Sequence, residues 1–211
     1  IEETLSNNNA DSVLRVLSDR DFTTNLDFIN DGVVELGGGV FSSNSFANNG
    51  TAEIFGFGTV SPILANSGLV RATGGTLTAS AGIDGQSGTI QIDPDGKLVI
   101  GANSDGDFLT HNGNASDSLD LQTFDITVDE DYTNANFGVG NNFDARTNII
   151  GSGKILASGD VSQTLSGEIS DGSSANATVD FGNVHVGDFN TRSYQINNDG
   201  TNGPALRGAL Q

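Results

Sequence analysis

Residues 28–60 read FINDGVVELGGGVFSSNSFANNGTAEIFGFGTV, and the stretch repeats itself: NDGVVEL (30–36) returns as NNGTAEI (48–54). Two further copies follow, NSGLVRA (66–72) and QSGTIQI (86–92). The glycines of the four copies, Gly32, Gly50, Gly68 and Gly88, are thus spaced by 18, 18 and 20 residues. Two positions after each glycine stands Val34, Ala52, Val70 or Ile90, and two further on Leu36, Ile54, Ala72 or Ile92. Glu35, Glu53, Arg71 and Gln91 lie between them. Alternation with period two places the apolar set on one face of a strand and the mixed set on the other. A second glycine column, Gly39, Gly58, Gly75 and Gly96, precedes Phe41, Val60, Leu77 and Leu98 by two residues.

A helix does not fit this pattern, because each interior glycine costs about 1 kcal/mol there and the apolar spacing is two. A hairpin meander or a sandwich accommodates the spacing of the turns. The period of the whole unit favours another arrangement, a parallel β-solenoid with 18–20 residues per coil. One such coil cannot bury its inner face alone. Stacking at about 4.8 Å completes both the hydrogen-bond ladder and the core. Asparagine at the corners suits left-handed backbone and can stack in ladders from coil to coil.

The rest of the chain divides around this block. IEETLSNNNADSVLRVL opens it, and residues 1–20 are expected to form a cap or an exchangeable strand. Residues 21–103 hold the repeats. The polar SDGDFLTHNGNASDS at 104–118 reads as a loop excursion, and 119–172 as further β coils and strands. Within the latter, Gly153 is followed by Ile155 and Ala157 at the spacing of Val70 and Ala72. DGSSANA (171–177) is a linker, after which Val179, Phe181, Val184 and Val186 lead to a turn and a last alternating strand, Arg192–Ile196.

Composition limits the function. Of the 211 residues 27 are acidic and 8 basic, a formal charge of −19. The eight cations are scattered, which argues against binding nucleic acid or an anionic membrane. Cysteine is absent, so disulfides, thiolate nucleophiles and zinc–sulfur sites are excluded. Methionine is absent too, and the chain is expected to be a processed product or a fragment. No apolar run approaches the roughly 18 residues of a spanning helix. The 29 glycines, with abundant Asn, Ser, Thr and Asp, suit a turn-rich extracellular β protein.

DEDYTNANFGVGNNFDARTNIIGSGKILASGDVSQTLSG, followed by VDFGNVHVGDFNTRSYQINNDGTNGPALRGALQ, resembles the bacterial surface proteins called choice-of-anchor D domain proteins. Phe181-Gly-Asn-Val-x-Val-Gly187 is the most specific part of a match that covers about 130–211. The resemblance implies secretion, large multi-module chains, and at 173–211 the opening strands of an Ig-like β-sandwich module. The upstream coils are similar in idiom to the glycine-rich solenoids of filamentous adhesins.

Several motifs invite a chemical reading. Asp93-Pro-Asp95, Asp105-Gly-Asp107 and Asp129-Glu130-Asp131 place carboxylates around turns, and Asp105 with Asp107 is the candidate Ca²⁺ site. Neither the twelve-residue EF-hand loop nor the calcium-loaded nonapeptide repeat is present, and Asp-Gly is good turn chemistry on its own. Paired carboxylates also serve glycoside cleavage. Sugar clefts lean on aromatic platforms, however, and the chain has no Trp and two Tyr. His111 and His185 are expected on the surface, the first in a loop. Gly37-Gly-Gly39 lacks the Gly-Lys-Ser/Thr of a phosphate loop and reads as a corner.

These readings converge on a structural, non-catalytic, secreted protein of the bacterial cell surface. An adhesive rod or filament would serve in a biofilm matrix or adhesin stalk. Its partners would be other copies of itself and a glycan or cell-surface ligand, and no cofactor is required beyond the candidate Ca²⁺. The alternatives are a carbohydrate-active β-helix enzyme and a Ca²⁺-dependent binding module.

Overall fold

The computed structural model describes residues 2–85, 87–113, 117–137, 149–158 and 161–165. The chain divides into two units, Ile1–Gly167 and Glu168–Gln211. The second unit lies outside the described residues, and with it the whole of 173–211, the stretch expected to open an Ig-like module.

The described chain is all-β and winds as a parallel solenoid. A 3-10 turn at Glu2–Thr4 leads into β1 (Asn7–Asn8), β2 (Val13–Leu17) and β3 (Phe22–Thr23). The next rounds are β4 (Asp27–Asn30) with β5 (Val33–Ser42), β6 (Ser45–Asn48) with β7 (Glu53–Val60), and β8 (Leu64–Asn66) with β9 (Leu69–Ala79). Then come β10 (Ile83–Asp84), β11 (Thr89–Ile92) and β12 (Lys97–Ile100), followed by β13 (Ser104–Gly106), β14 (Phe108–His111) and β15 (Leu119–Asp120). The last rounds are β16 (Ile126–Val128), β17 (Tyr132–Phe137) and β18 (Ile149–Ile150), then β19 (Ile155–Ala157) and β20 (Val161–Leu165).

Each round visits three walls. The first wall stacks β1-β4-β6-β8-β10, with β13-β16-β19 as a separate sheet above it. The second runs β2-β5-β7-β9-β11-β14-β17-β20, and the third β3-β5-β7-β9-β12-β15-β18. Every pairing is parallel. Strands β5, β7 and β9 are long enough to bend across two walls, and glycines make the bend possible. Gly56 has φ 114°, and a Cβ there would fall on the Leu36 carbonyl oxygen of the coil below. Only glycine tolerates both the backbone angle and the approach.

The interior follows from the alternation. Val34, Ile54, Val70, Ile90 and Leu109 are buried one above another on the second wall. In the lower coils Phe22 stacks on Phe41 with ring centroids 4.8 Å apart, and Phe28 meets Phe41 edge-on at 4.9 Å. Phe41 and Phe46 close the cluster at 4.4 Å. Beside these rings runs a column of buried amides. Asn8 Nδ2 donates to Asn30 Oδ1 at 2.7 Å, Asn30 to Asn48 at 2.8 Å, and Asn48 to Asn66 at 2.8 Å. Each Nδ2 also reaches a backbone carbonyl: Val33, Glu53, Leu69 and, for Asn66, Thr89. Burying four amides is tolerable because every donor has a partner.

The expected stacking of asparagines is therefore present, but in the strands and not in left-handed corners. Among described non-glycine residues, positive φ falls at Asp11, Asp19 and Gln122.

The register differs from the sequence reading at defined places. Val34 pairs with Ile54 and Leu36 with Gly56, so Ala52 is displaced from the column assigned to it. The cause is a longer turn. Ala52 N–H closes a turn on the Asn49 carbonyl at 2.8 Å, adding two residues before β7 begins. Phe41 and Val60 do share a column, which continues to Ala79 and Ile100. Leu77 and Leu98 pair with each other above Gly58, because the extra residues in the bend of β9 shift the frame. Ile155 and Ala157 belong to the first wall, over Ile126 and Val128, and not to the wall of Val70 and Ala72.

Two assigned segments also change. Within residues 1–20, Val13–Leu17 pairs in parallel with β5, so this stretch is the first coil of the solenoid. Residues 104–118 are not a loop excursion up to His111, since β13 and β14 continue the stack. Their alternation was hidden because the inward positions carry Ser104, Gly106 and His111 in place of aliphatic side chains.

Candidate functional site

Period-two geometry puts Asp105 and Asp107 on the outward side, flanking the inward Gly106. Both are half-buried. One Asp105 carboxylate oxygen, Oδ1, accepts the Gly85 N–H of the coil below. Asp107 is held by its backbone, its N–H to Gly88 O at 3.0 Å and its carbonyl to Glu130 N–H at 2.8 Å. The other acidic turns are likewise tied to neighbours. Asp93 accepts Arg71 Nη1 at 3.3 Å and Gln91 Nε2 at 2.6 Å. Asp95 accepts the Thr73 hydroxyl at 3.1 Å, and the Gly74 backbone and Thr73 bonds hold its carboxyl below the usual range. Among the described residues, no three or more His, Cys, Asp or Glu side chains gather as a cation would need.

The outward face of the second wall carries a small charged array. Arg71 lies between Glu53, at 2.7 Å, and Asp93, and its guanidinium sits 5.2 Å from the Phe55 ring centroid. Arg15 pairs with Glu35 at 2.6 Å on the same wall, and Lys97, on the third wall, pairs with Asp117 at 2.6 Å. The Lys97 bond is the main reason the Asp117 carboxyl sits below its ordinary value.

The unusual chemistry is inside. His111 was expected on the surface, yet it is 0% exposed. Leu109 and His111 continue the inward columns of Ile90 and Ile92, so Thr110 faces out and the imidazole faces in. Its Nε2 lies 2.7 Å from the Ser118 hydroxyl, which is itself fully buried. Gly113 abuts the pair, where a Cβ would collide with the Ser118 side chain and approach His111 Nε2 to 3.2 Å. Nδ1 has no hydrogen-bond partner among the described residues. Burial alone lowers the His111 pKa to about 4. One coil up, Asn134 stacks on His111 and Tyr132 on Leu109. Asn134 Nδ2 donates to the Tyr132 hydroxyl at 3.0 Å, and burial pushes that hydroxyl's pKa up.

This places a histidine and a serine within bonding distance, the beginning of a nucleophile–base pair. Both are sealed from solvent, and no described carboxylate holds Nδ1 in the manner of a triad. The arrangement is a polar seam in the core. Sequence reasoning missed it by assigning 104–118 to a loop, although the two-residue alternation from Ile90 and Ile92 was available. His185 lies outside the described residues.

No family model matches the sequence, no curated protein matches it, and no solved structure matches the fold. Fold and interior thus define the described part as a parallel β-solenoid with an asparagine ladder below and a polar seam above.

Proposed function

We propose that this chain is a structural, non-catalytic element of an extracellular bacterial surface or matrix assembly, working as an adhesive rod or filament segment. The observation that carries the reading is the parallel strand pairing that runs along the second wall from β2 to β20, with a buried apolar column beneath it from Val34 to Leu109. In such an array each coil is stabilised by its neighbours, so repetition itself yields stiffness. The surplus of acidic residues supports it further, since self-repulsion keeps extended chains dispersed. Copies of the same chain and a neutral glycan or surface ligand fit that surface better than nucleic acid does.

Electron microscopy of the chain, with and without chelator, tests this. Regular filaments or uniform elongated particles are expected. Compact particles that turn over polysaccharide would overturn the reading. Filaments that dissolve on chelation would add Ca²⁺ at Asp105 and Asp107 to the mechanism.

A further inference from the structure

We propose that His111 is an acid-operated release point in the solenoid: a proton taken up on its buried ring parts β14 and the coils above it from those below. The inference rests first on position. Below His111 the second-wall interior is aliphatic, with Ile92 directly beneath it, and above it stand Asn134 and Tyr132. It rests next on hydrogen bonding. The neutral ring satisfies Nε2 through Ser118, and Nδ1 has no partner among the described residues. A second ring proton would therefore put an N–H, and a full charge, into a buried position where no described residue receives either.

Among the described residues no neighbouring anion offsets that charge. On the elements packed against β14 the charged or titratable groups are Asp93 after β11, Lys97 on β12, Asp117 and Asp120 at β15, and Asp131 and Tyr132 at β17. Asp93 is engaged with Arg71 and Gln91, Asp117 with Lys97, and Asp120 with Gln122. Asp131 is on the exposed side, Asp120 is buried but stands at the outward strand position over Val99, and Tyr132 faces the interior as a neutral phenol. The lowered pKa of His111, about 4, agrees with this geometry.

The sign follows from linkage. The open coil takes up its proton near pH 6.5, while the closed coil resists until about pH 4. The closed form is thus fully favoured above pH 6.5 and loses ground as pH falls through that window. Below pH 4 the loss is complete.

Amide hydrogen exchange, corrected for its intrinsic pH dependence, reads this directly. Between pH 6.5 and 4, protection in 98–128 is expected to drop about tenfold per pH unit, on the order of a hundredfold in all. Residues 28–60 are expected to change far less. His111→Ile, the residue present one coil below, is expected to abolish that selective loss and cancels the contribution of carboxylates common to both chains. Because this variant also repacks the core, the ring itself provides a second test. In the chain carrying His185→Gln, the remaining histidine NMR signal is expected to titrate near pH 4. Titration near 6.5, or an identical loss of protection in His111→Ile, would overturn the proposal.

Discussion

The lower and upper coils solve the same problem with different interiors. From β3 to β6 a cluster of phenylalanine rings packs the interior, and a hydrogen-bonded column of amides runs beside it up to β8. From β13 on, that amide column is gone. Gly106, Val128 and Ala157 pair in succession on the first wall, and the polar side chains move to the second wall as His111 and Asn134. The spacing changes as well. Asn30 bonds Asn48 across 18 residues, whereas Lys154 N–H reaches Asp125 across 29. The strands fix the ladder, and the turns between them absorb the difference. A solenoid therefore tolerates loose turn length and variable core chemistry, provided that each coil matches the one beneath.

The largest effect that breaks the comparison is expected at Phe28, fully buried and in contact with three other rings. Phe28→Ala is expected to cost about 3–5 kcal/mol, and Ile126→Ala in the upper coils about 2–4 kcal/mol, by denaturant titration. Equal costs would show that the ring cluster adds nothing beyond ordinary aliphatic packing. Next comes the ladder. Asn48→Leu takes one partner from Asn30 Nδ2, which keeps the Glu53 carbonyl, and one from Asn66 Oδ1, which keeps the Gly68 N–H, and is expected to cost about 1–3 kcal/mol. Replacing Asn30, Asn48 and Asn66 together by valine is expected to cost less than three times the single change, since fewer groups are left facing apolar partners. The smallest effect belongs to the outward array. Arg71→Ala is expected to lower stability by about 1 kcal/mol or less, because its ion pairs are partly solvated. High salt should narrow that difference further.

The fold class was legible because the Asn-x-Gly element recurs where one strand ends and the chain turns into the next, and the alternation marks the inner face. What misled the register was local. An Asn-Asn-Gly-Thr turn looks like its two-residue relatives, but Ala52 closes it two positions later, and the apolar residue at 52 resembles a strand position. The upper coils were harder to see because Ser104, Gly106 and His111 face inward, and polarity there has the signature of a loop. Asp105 and Asp107 were read as carboxylates at alternating positions around a glycine turn, whereas Gly106 ends a strand that holds both on its outward side. That Gly85 already occupies an oxygen of Asp105 is a contact between coils, which spacing within one strand does not encode. The His111–Ser118 contact spans a turn whose path the sequence did not define.

The asparagine column has one more property. All three of its amide-to-amide bonds run the same way, with the nitrogen of each lower coil donating to the oxygen of the coil above. Their dipoles therefore add along the axis instead of cancelling, and each bond polarises the next. Across these coils the stack is an electret: its Asn8 end presents amide oxygen, and its Asn66 end is earthed on the Thr89 carbonyl. Turned end for end, the same coils would meet oxygen with oxygen, so this interior carries a sense of direction that its aliphatic columns lack.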